Sequence, residues 1–402
     1  MPQAMDKGII PPEQIAKAGT DANVGTMLKK FHNDIHRTMH INSAVVSADL
    51  KNCYDAVHHL IASIAVQAMG VPLMAVKLVL SCLQPMFFWL RTAHGVAETP
   101  FGGTTSKPFM TLGQGGGHSP SHFTGVYTLM ILSYKKLGHG CCYTSAILGV
   151  VFLFAAILYV VDTDLLLRVN NITDTDEEFI KLIQNAVMDW GLLVQATGGS
   201  LNKKKCYVSI NSFKFVGGKA VLKKAFELPA KVIIISQPDG IDVPIPIIDP
   251  TMSKKTLGVL SNTAGEGAEH LTAIRTKGMA WKGALKSNKY LRPSDEWLSL
   301  NIQLKPRIEC GLVGLSAKLD EVDRVTHAVY HASLGRLRVN PKMKKEFRML
   351  PEMYQGLGMF NLNTDGLGAL IFFLRQHWNM NTPISKMLRQ AFEAFQMNVG
   401  LG

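Results

Sequence analysis

The 402-residue sequence predicts an α+β protein, an antiparallel sheet packed on helices followed by a helical C-terminal region. Two observations predict it. Short β-branched or apolar runs, Ala44-Val45-Val46, Lys231 to Ile235 and Val243 to Ile248, read as strands, the last two joined into a hairpin across Pro238-Asp239-Gly240. Stretches of helical periodicity separate them, and from Ala264 onward the pattern is mainly helical, with breaks expected at Pro293, Pro306 and Pro341.

Taken in order, Asn23 to His36, Leu60 to Gln67 and Ala75 to Leu83 have helical apolar faces. Pro120 suits the first turn of a helix and Ser119 its cap, so Phe123 to Leu132 is read as the body of that helix. Glu177 to Trp190 is a further helix, opened by a capping box between Thr175 and Glu178. Pro244 and Pro246 predict that the second hairpin run lies at a sheet edge. The uncharged run Ala146 to Val161 has two readings, a pair of buried strands or a membrane span.

Composition narrows the classes. Forty-two Lys+Arg against 30 Asp+Glu give a formal charge of +12, a balance suited to a phosphate backbone. Basic residues thicken from Lys203 to Lys205 and on through Lys286. The six cysteines have no zinc-ligand spacing and read as reduced, buried thiols of an intracellular protein. His58-His59 reads as a helix-surface pair. No Walker loop, dinucleotide fingerprint or Ser-His-Asp elbow occurs. Met1 to Gln14 lack an apolar core, so no secretory leader is expected.

Three segments carry the chemistry. Ala48-Asp49-Leu50-Lys51-Asn52-Cys53-Tyr54-Asp55 sets a carboxylate at the end of an apolar strand. Gly113-Gln114-Gly115-Gly116-Gly117-His118-Ser119-Pro120 is a Gly-rich loop entering a helix, and its glycines permit close backbone approach. Tyr159-Val160-Val161-Asp162-Thr163-Asp164 places two carboxylates on one strand face, roughly 6 to 7 Å apart.

In this order the segments resemble motifs A, B and C of reverse transcriptases of the non-LTR and group II intron-like retroelements. Gln114, Gly115, Ser119 and Pro120 match the Gln-Gly-x-x-x-Ser-Pro of motif B. The resemblance implies a polymerase palm with partial fingers over residues 1–43, a palm over 44–260 and a helical thumb-like region over 261–402. It also implies an RNA-directed DNA polymerase working on RNA template, DNA primer and deoxynucleotide triphosphates. Two Mg²⁺ or Mn²⁺ ions would lie between carboxylates, one activating the primer hydroxyl and one clamping the triphosphate. Asp49 and Asp162 are the implied metal ligands, with Asp164 as a possible substitute. Tyr54 would floor the sugar pocket, and Gln114, Gly115 and Ser119 would meet template or nucleotide. Lys205, in Asn202-Lys203-Lys204-Lys205, resembles the motif D lysine that protonates pyrophosphate, and Leu257-Gly258 resembles the primer-grip turn.

The chain departs from the family at motif C, where Val161 stands for the first of two adjacent aspartates. Valine offers no oxygen to a metal, and loss of one such electrostatic group costs on the order of a hundredfold in rate. The expectation is therefore a truncated retroelement copy with an impaired site. An inert nucleic-acid-binding remnant is the alternative, and a membrane-associated protein the third reading. No protein partner follows from the residues.

Overall fold

Strands and helices alternate through the first 250 residues, and helices dominate thereafter, giving a mixed α+β protein around a central, mostly antiparallel sheet. The computed structural model describes residues 4 and 7–400, apart from 18, 52, 105–110, 114, 115, 146, 148, 172, 237–241, 289, 310, 332 and 333. Its contacts form two compact units, Met1–Thr20 with His40–Asp249, and Asp21–Met39 with Pro250–Gly402. These differ from the three expected segments, because helix α1 (Ala22–Thr38) and the chain from Pro250 onward group together.

The first unit is built on six strands: β1 (Ser43–Ser47), β2 (Ala156–Tyr159), β3 (Asp162–Arg168), β4 (Tyr207–Asn211), β5 (Val232–Ser236) and β6 (Asp242–Ile248), in the order β5-β6-β4-β1-β3-β2. All pairs are antiparallel except β4 with β6. Alternation sends Ala44, Val46, Leu165, Leu167, Val208, Ile210, Ile245 and Ile247 to one face, where they join the main core. The longer helices of this unit among the described residues are α2 (His59–Ala68), α3 (Leu73–Leu83), α4 (Ser119–Lys136) and α5 (Asp176–Ala196). The Thr175–Glu178 capping box opens α5, and Asp176, Glu177 and Glu178 suit the positive end of its dipole. Its Phe179, Ile183, Ala186, Val187, Trp190 and Val194 are buried at helical spacing in the same core. Tyr134 of α4 meets Trp190 edge to face at 5.4 Å.

Several expectations are corrected. The sheet edge is β5, and the proline-bearing β6 lies inside, between β5 and β4. Ile247 N–H donates to Lys231 O, so by two-residue alternation Ile245 and Val243 serve the β5 ladder, while Pro244 and Pro246 fall where no N–H is needed. The β4 pairing begins only at Ile247, beyond both prolines. The run read as strands or a span forms strands: Val151–Phe154 pairs with Cys141–Thr144, and Ala156–Tyr159 is β2. Among the described residues no helix is long and apolar enough to cross a membrane. His59 is buried, with Nε2 2.9 Å from Thr111 O, whereas His58 is exposed. Cys82 is exposed and Cys53 and Cys142 only half-buried, so the thiols are not uniformly interior. Pro306 does not end a helix: it lies within the continuous helical run 293–309, directly after the π turn Leu300–Leu304, a local widening of the ladder of the kind that accompanies a proline inside a helix.

The second unit has its own core, including Leu271, Ile274, Trp281, Leu304, Ile308, Val329 and Phe360. Its main helices after α1 are α6 (Ala268–Ser287), α7 (Leu319–His331), α8 (Leu362–Trp378) and α9 (Pro383–Asn398). Gly278 lets α6 approach α7, since a Cβ there would lie 2.3 Å from the Val329 side chain. A short hairpin, β7 (Lys254–Thr256) and β8 (Val259–Ser261), precedes α6.

Candidate active site at a strand hairpin

The site is set by strand register. Ser47 of β1 lies opposite Asp164 of β3, and Ala48 N–H donates to Thr163 O at 2.8 Å, so the same register continues one step and sets Asp49 opposite Asp162. Directly opposed residues share a sheet face. Alternation adds Ser47 and Asp164, so Asp49, Asp162 and Asp164 all belong to the face away from the main core. Asp162 is exposed and Asp164 buried.

The β2–β3 connection is a two-residue turn, Val160-Val161, between the paired Tyr159 and Asp162. Val160 has φ +56° while Val161 does not share the positive sign, the pattern of a type II′ turn in which glycine is usual. A β-branched residue there is strained, and such strain persists only where its surroundings hold it. Tyr127 of α4 supplies part of that hold. Its hydroxyl is fully buried, 3.2 Å from Val161 O and 3.0 Å from Thr163 Oγ1. The Val161 side chain packs against the apolar core, on the face opposite Asp162.

Asp49 is also clasped from the other side. Beyond it, Leu50–Lys51 pairs with Ser200–Leu201, and Asn202 N–H donates to Asp49 O at 2.8 Å. The turn from Asn202 to Lys205 then brings Lys205 Nζ to 3.3 Å from Asp49 Oδ2. Lys205 is itself largely exposed, and the pair lacks hydrogen-bond geometry, for Asp49 Oδ2 is buried without a hydrogen-bond partner. A buried carboxylate oxygen that accepts no hydrogen bond and is ion-paired only to an exposed lysine, opposite a second carboxylate, is a donor set suited to a hard divalent cation. Burial pushes the Cys206 thiol up to about 11, and the neighbouring Asp49 charge adds to the rise.

The loop before α4 is anchored from within. Ser119, expected as a helix cap, is instead the first helical residue, and His118 takes the cap position without a side-chain bond. Ser119 is buried, and its hydroxyl lies 2.5 Å from Leu112 O and 2.6 Å from Gly113 O, so it holds the loop closed rather than facing a ligand. Leu112 N–H donates to Tyr54 O, and Thr111 Oγ1 to Asp55. The half-buried Tyr54 ring lies 5.0 Å from Phe123, and burial raises its hydroxyl above the usual phenol value. Gln114 and Gly115 lie outside the described residues. Leu257 and Gly258, both at positive φ, make the tight turn of the β7–β8 hairpin in the second unit.

The first unit therefore brings Asp49, Asp162, Asp164 and Lys205 to one hairpin end. Sequence reasoning missed Tyr127. Tyr127 lies four residues beyond Phe123 on the predicted helix, a spacing that puts both on one face, but its partners are distant in sequence.

No family model matches the chain, and no curated protein matches it. Among solved structures it is similar to telomerase from Candida albicans in complex with a fragment of telomeric RNA, at 8% identity and a TM-score of 0.43, over 99% of this chain and 53% of that one. It is also similar to telomerase from Candida tropicalis with a telomeric RNA fragment, at 10% identity and a TM-score of 0.40, over 94% of this chain and 53% of that one. The chain spans about half the length of the solved chains it matches.

Proposed function

We propose that the first unit is a reverse transcriptase-like palm whose hairpin end performs, in weakened form, two-metal nucleotidyl transfer on a primed RNA template. The observation that carries this reading is the register that sets Asp49 opposite Asp162 with Lys205 held against Asp49. Asp49 and Asp162, with Asp164 behind Asp162 on the same face, would hold Mg²⁺ or Mn²⁺, which supplies charge neutralisation and activation of the attacking hydroxyl. Lys205 is exposed and mobile enough on its stem to leave Asp49 for a phosphate when a cation arrives. Tyr127 fixes the hairpin backbone, and Ser119 fixes the loop that leads into α4. The +12 charge favours a nucleic-acid partner.

Val161 weakens the site, since its side chain brings no oxygen and packs on the core side of the sheet. The same observation favours a second reading, in which the protein binds primed template without extending it. Primer extension with Mg²⁺ or Mn²⁺, comparing the parent, Asp49→Ala and Val161→Asp, separates them. Extension that Asp49→Ala abolishes, whether in the parent or only in the Val161→Asp background, supports the polymerase reading. Salt-dependent template binding with no incorporation by any variant selects the binding remnant, and neither activity removes both.

A further inference from the structure

Outside the carboxylate site, α4 begins with two histidines one turn apart, His118 and His122. Their rings lie 5.4 Å apart at 89°. His122 is more than nine-tenths buried, and its Nδ1 stands 3.0 Å from His118 O. A carbonyl accepts only, so that nitrogen carries the proton, and the lone pair of the neutral ring is on Nε2. Nε2 of His122 is buried with no hydrogen-bond partner, and so is Nε2 of His118. Burial holds His122 below the ordinary histidine value, which keeps the ring neutral near pH 7.

We propose that His118 and His122 clamp a borderline-soft divalent metal, of the Zn²⁺ or Cu²⁺ kind, through their two Nε2 atoms. An imidazole that donates Nδ1–H to a backbone carbonyl and leaves Nε2 free is the arrangement that orients histidine toward a metal. Two metal–nitrogen bonds of about 2.0–2.1 Å meeting at tetrahedral to square angles separate the ring centres by roughly 5 Å, close to the spacing present. Imidazole selects Zn²⁺ or Cu²⁺ over Mg²⁺, so the clamp is chemically distinct from the carboxylate site. Among the described residues no third His, Cys, Asp or Glu completes it, which leaves the remaining positions to water. A bound ion would staple the last residue of the Gly-rich loop to the first turn of α4. The inference does not rest on polymerase activity.

Titration calorimetry of the full chain with Zn²⁺, paired with electron paramagnetic resonance of the Cu²⁺ form, tests it. The expected result is one Zn²⁺ equivalent that weakens about tenfold or more in His118→Gln and in His122→Gln. The Cu²⁺ spectrum should show coupling to two imidazole nitrogens in the parent and to one in either variant. Unchanged Zn²⁺ affinity in both variants, or no binding by the parent, overturns the proposal. Circular dichroism checks folding, and if His122→Gln unfolds, the less buried His118→Gln decides alone.

Discussion

On the helix-packed face of the sheet the strands present Ala44, Val46, Ala48, Leu165, Leu167, Val208 and Ile210, whereas on the opposite face the same strands carry Ser43, Ser47, Asp49, Asp162, Asp164, Arg168, Ser209 and Asn211. Val45, Leu166, Ile157 and Tyr207 also lie on the second face, and all four are buried. Neighbouring residues on one strand thus meet opposite demands. The apolar face is fixed by area removed from water, which is non-directional and tolerant of which aliphatic residue supplies it. The polar face depends on register, because a slip of one residue would exchange the two sets. Site and core are therefore specified together by one strand alignment.

The largest way to break this contrast is to truncate the apolar face. Leu165→Ala is expected to cost about 2–5 kcal/mol in urea unfolding. Its neighbour across the pleat offers the control, since Ser47→Ala should change stability by no more than about 0.5 kcal/mol. Asp49→Ala should leave the fold intact while lowering any primer extension about a hundredfold or more, measured beside the parent under the same metal. If Asp49→Ala unfolded the chain as Leu165→Ala does, the contrast between the two faces would collapse.

Tyr127 links the helix layer to the site through the sheet. Tyr127→Phe strands the buried Thr163 hydroxyl and should cost about 1–3 kcal/mol, with a loss of extension larger than Ser47→Ala produces. His122 gives the contrast a pH dependence. Its folded value lies below the ordinary 6.5, so the unfolded state binds more protons, and its contribution is complete above 6.5 and lost as pH falls from there through the lower folded value. Urea midpoints in metal-free buffer at pH 7.5 and 5.5 should separate for the parent and by less in His122→Gln, the remainder coming from His270, which burial lowers to about 4, and His377. The smallest effect is at the turn. Val160→Gly removes a left-handed penalty of roughly 1–2 kcal/mol and adds unfolded-state entropy of about 0.5–1 kcal/mol, so a stabilisation between zero and about 1.5 kcal/mol is expected from thermal unfolding.

Helix α5 is legible in the sequence because its capping box, acidic first turn and apolar spacing agree locally. The β5–β6 pairing is legible from β-branched runs around a turn, but not its place in the sheet, since prolines reveal a missing donor and not which neighbour lacks it. Asp49, Asp162, Asp164 and Lys205 can be named from motif order alone. Their meeting depends on ladders between segments more than a hundred residues apart, which no local pattern encodes. The inward turn of Ser119 is likewise invisible in the sequence, because a serine before proline at a helix start looks the same whether its hydroxyl caps the helix or closes the loop.

By itself, then, the sequence determined the α+β class, the helix boundaries to within a few residues at strong caps, the basic charge and the identity of the carboxylates. Tertiary structure alone decided which face they occupy, that Lys205 rests on Asp49, that Tyr127 holds the hairpin and that Nε2 of His118 and Nε2 of His122 are buried without a hydrogen-bond partner. The physical reason is range. Propensity, capping and charge act over a few residues, whereas register, burial and hydrogen-bond satisfaction are set by partners that only the folded chain brings within a few ångströms.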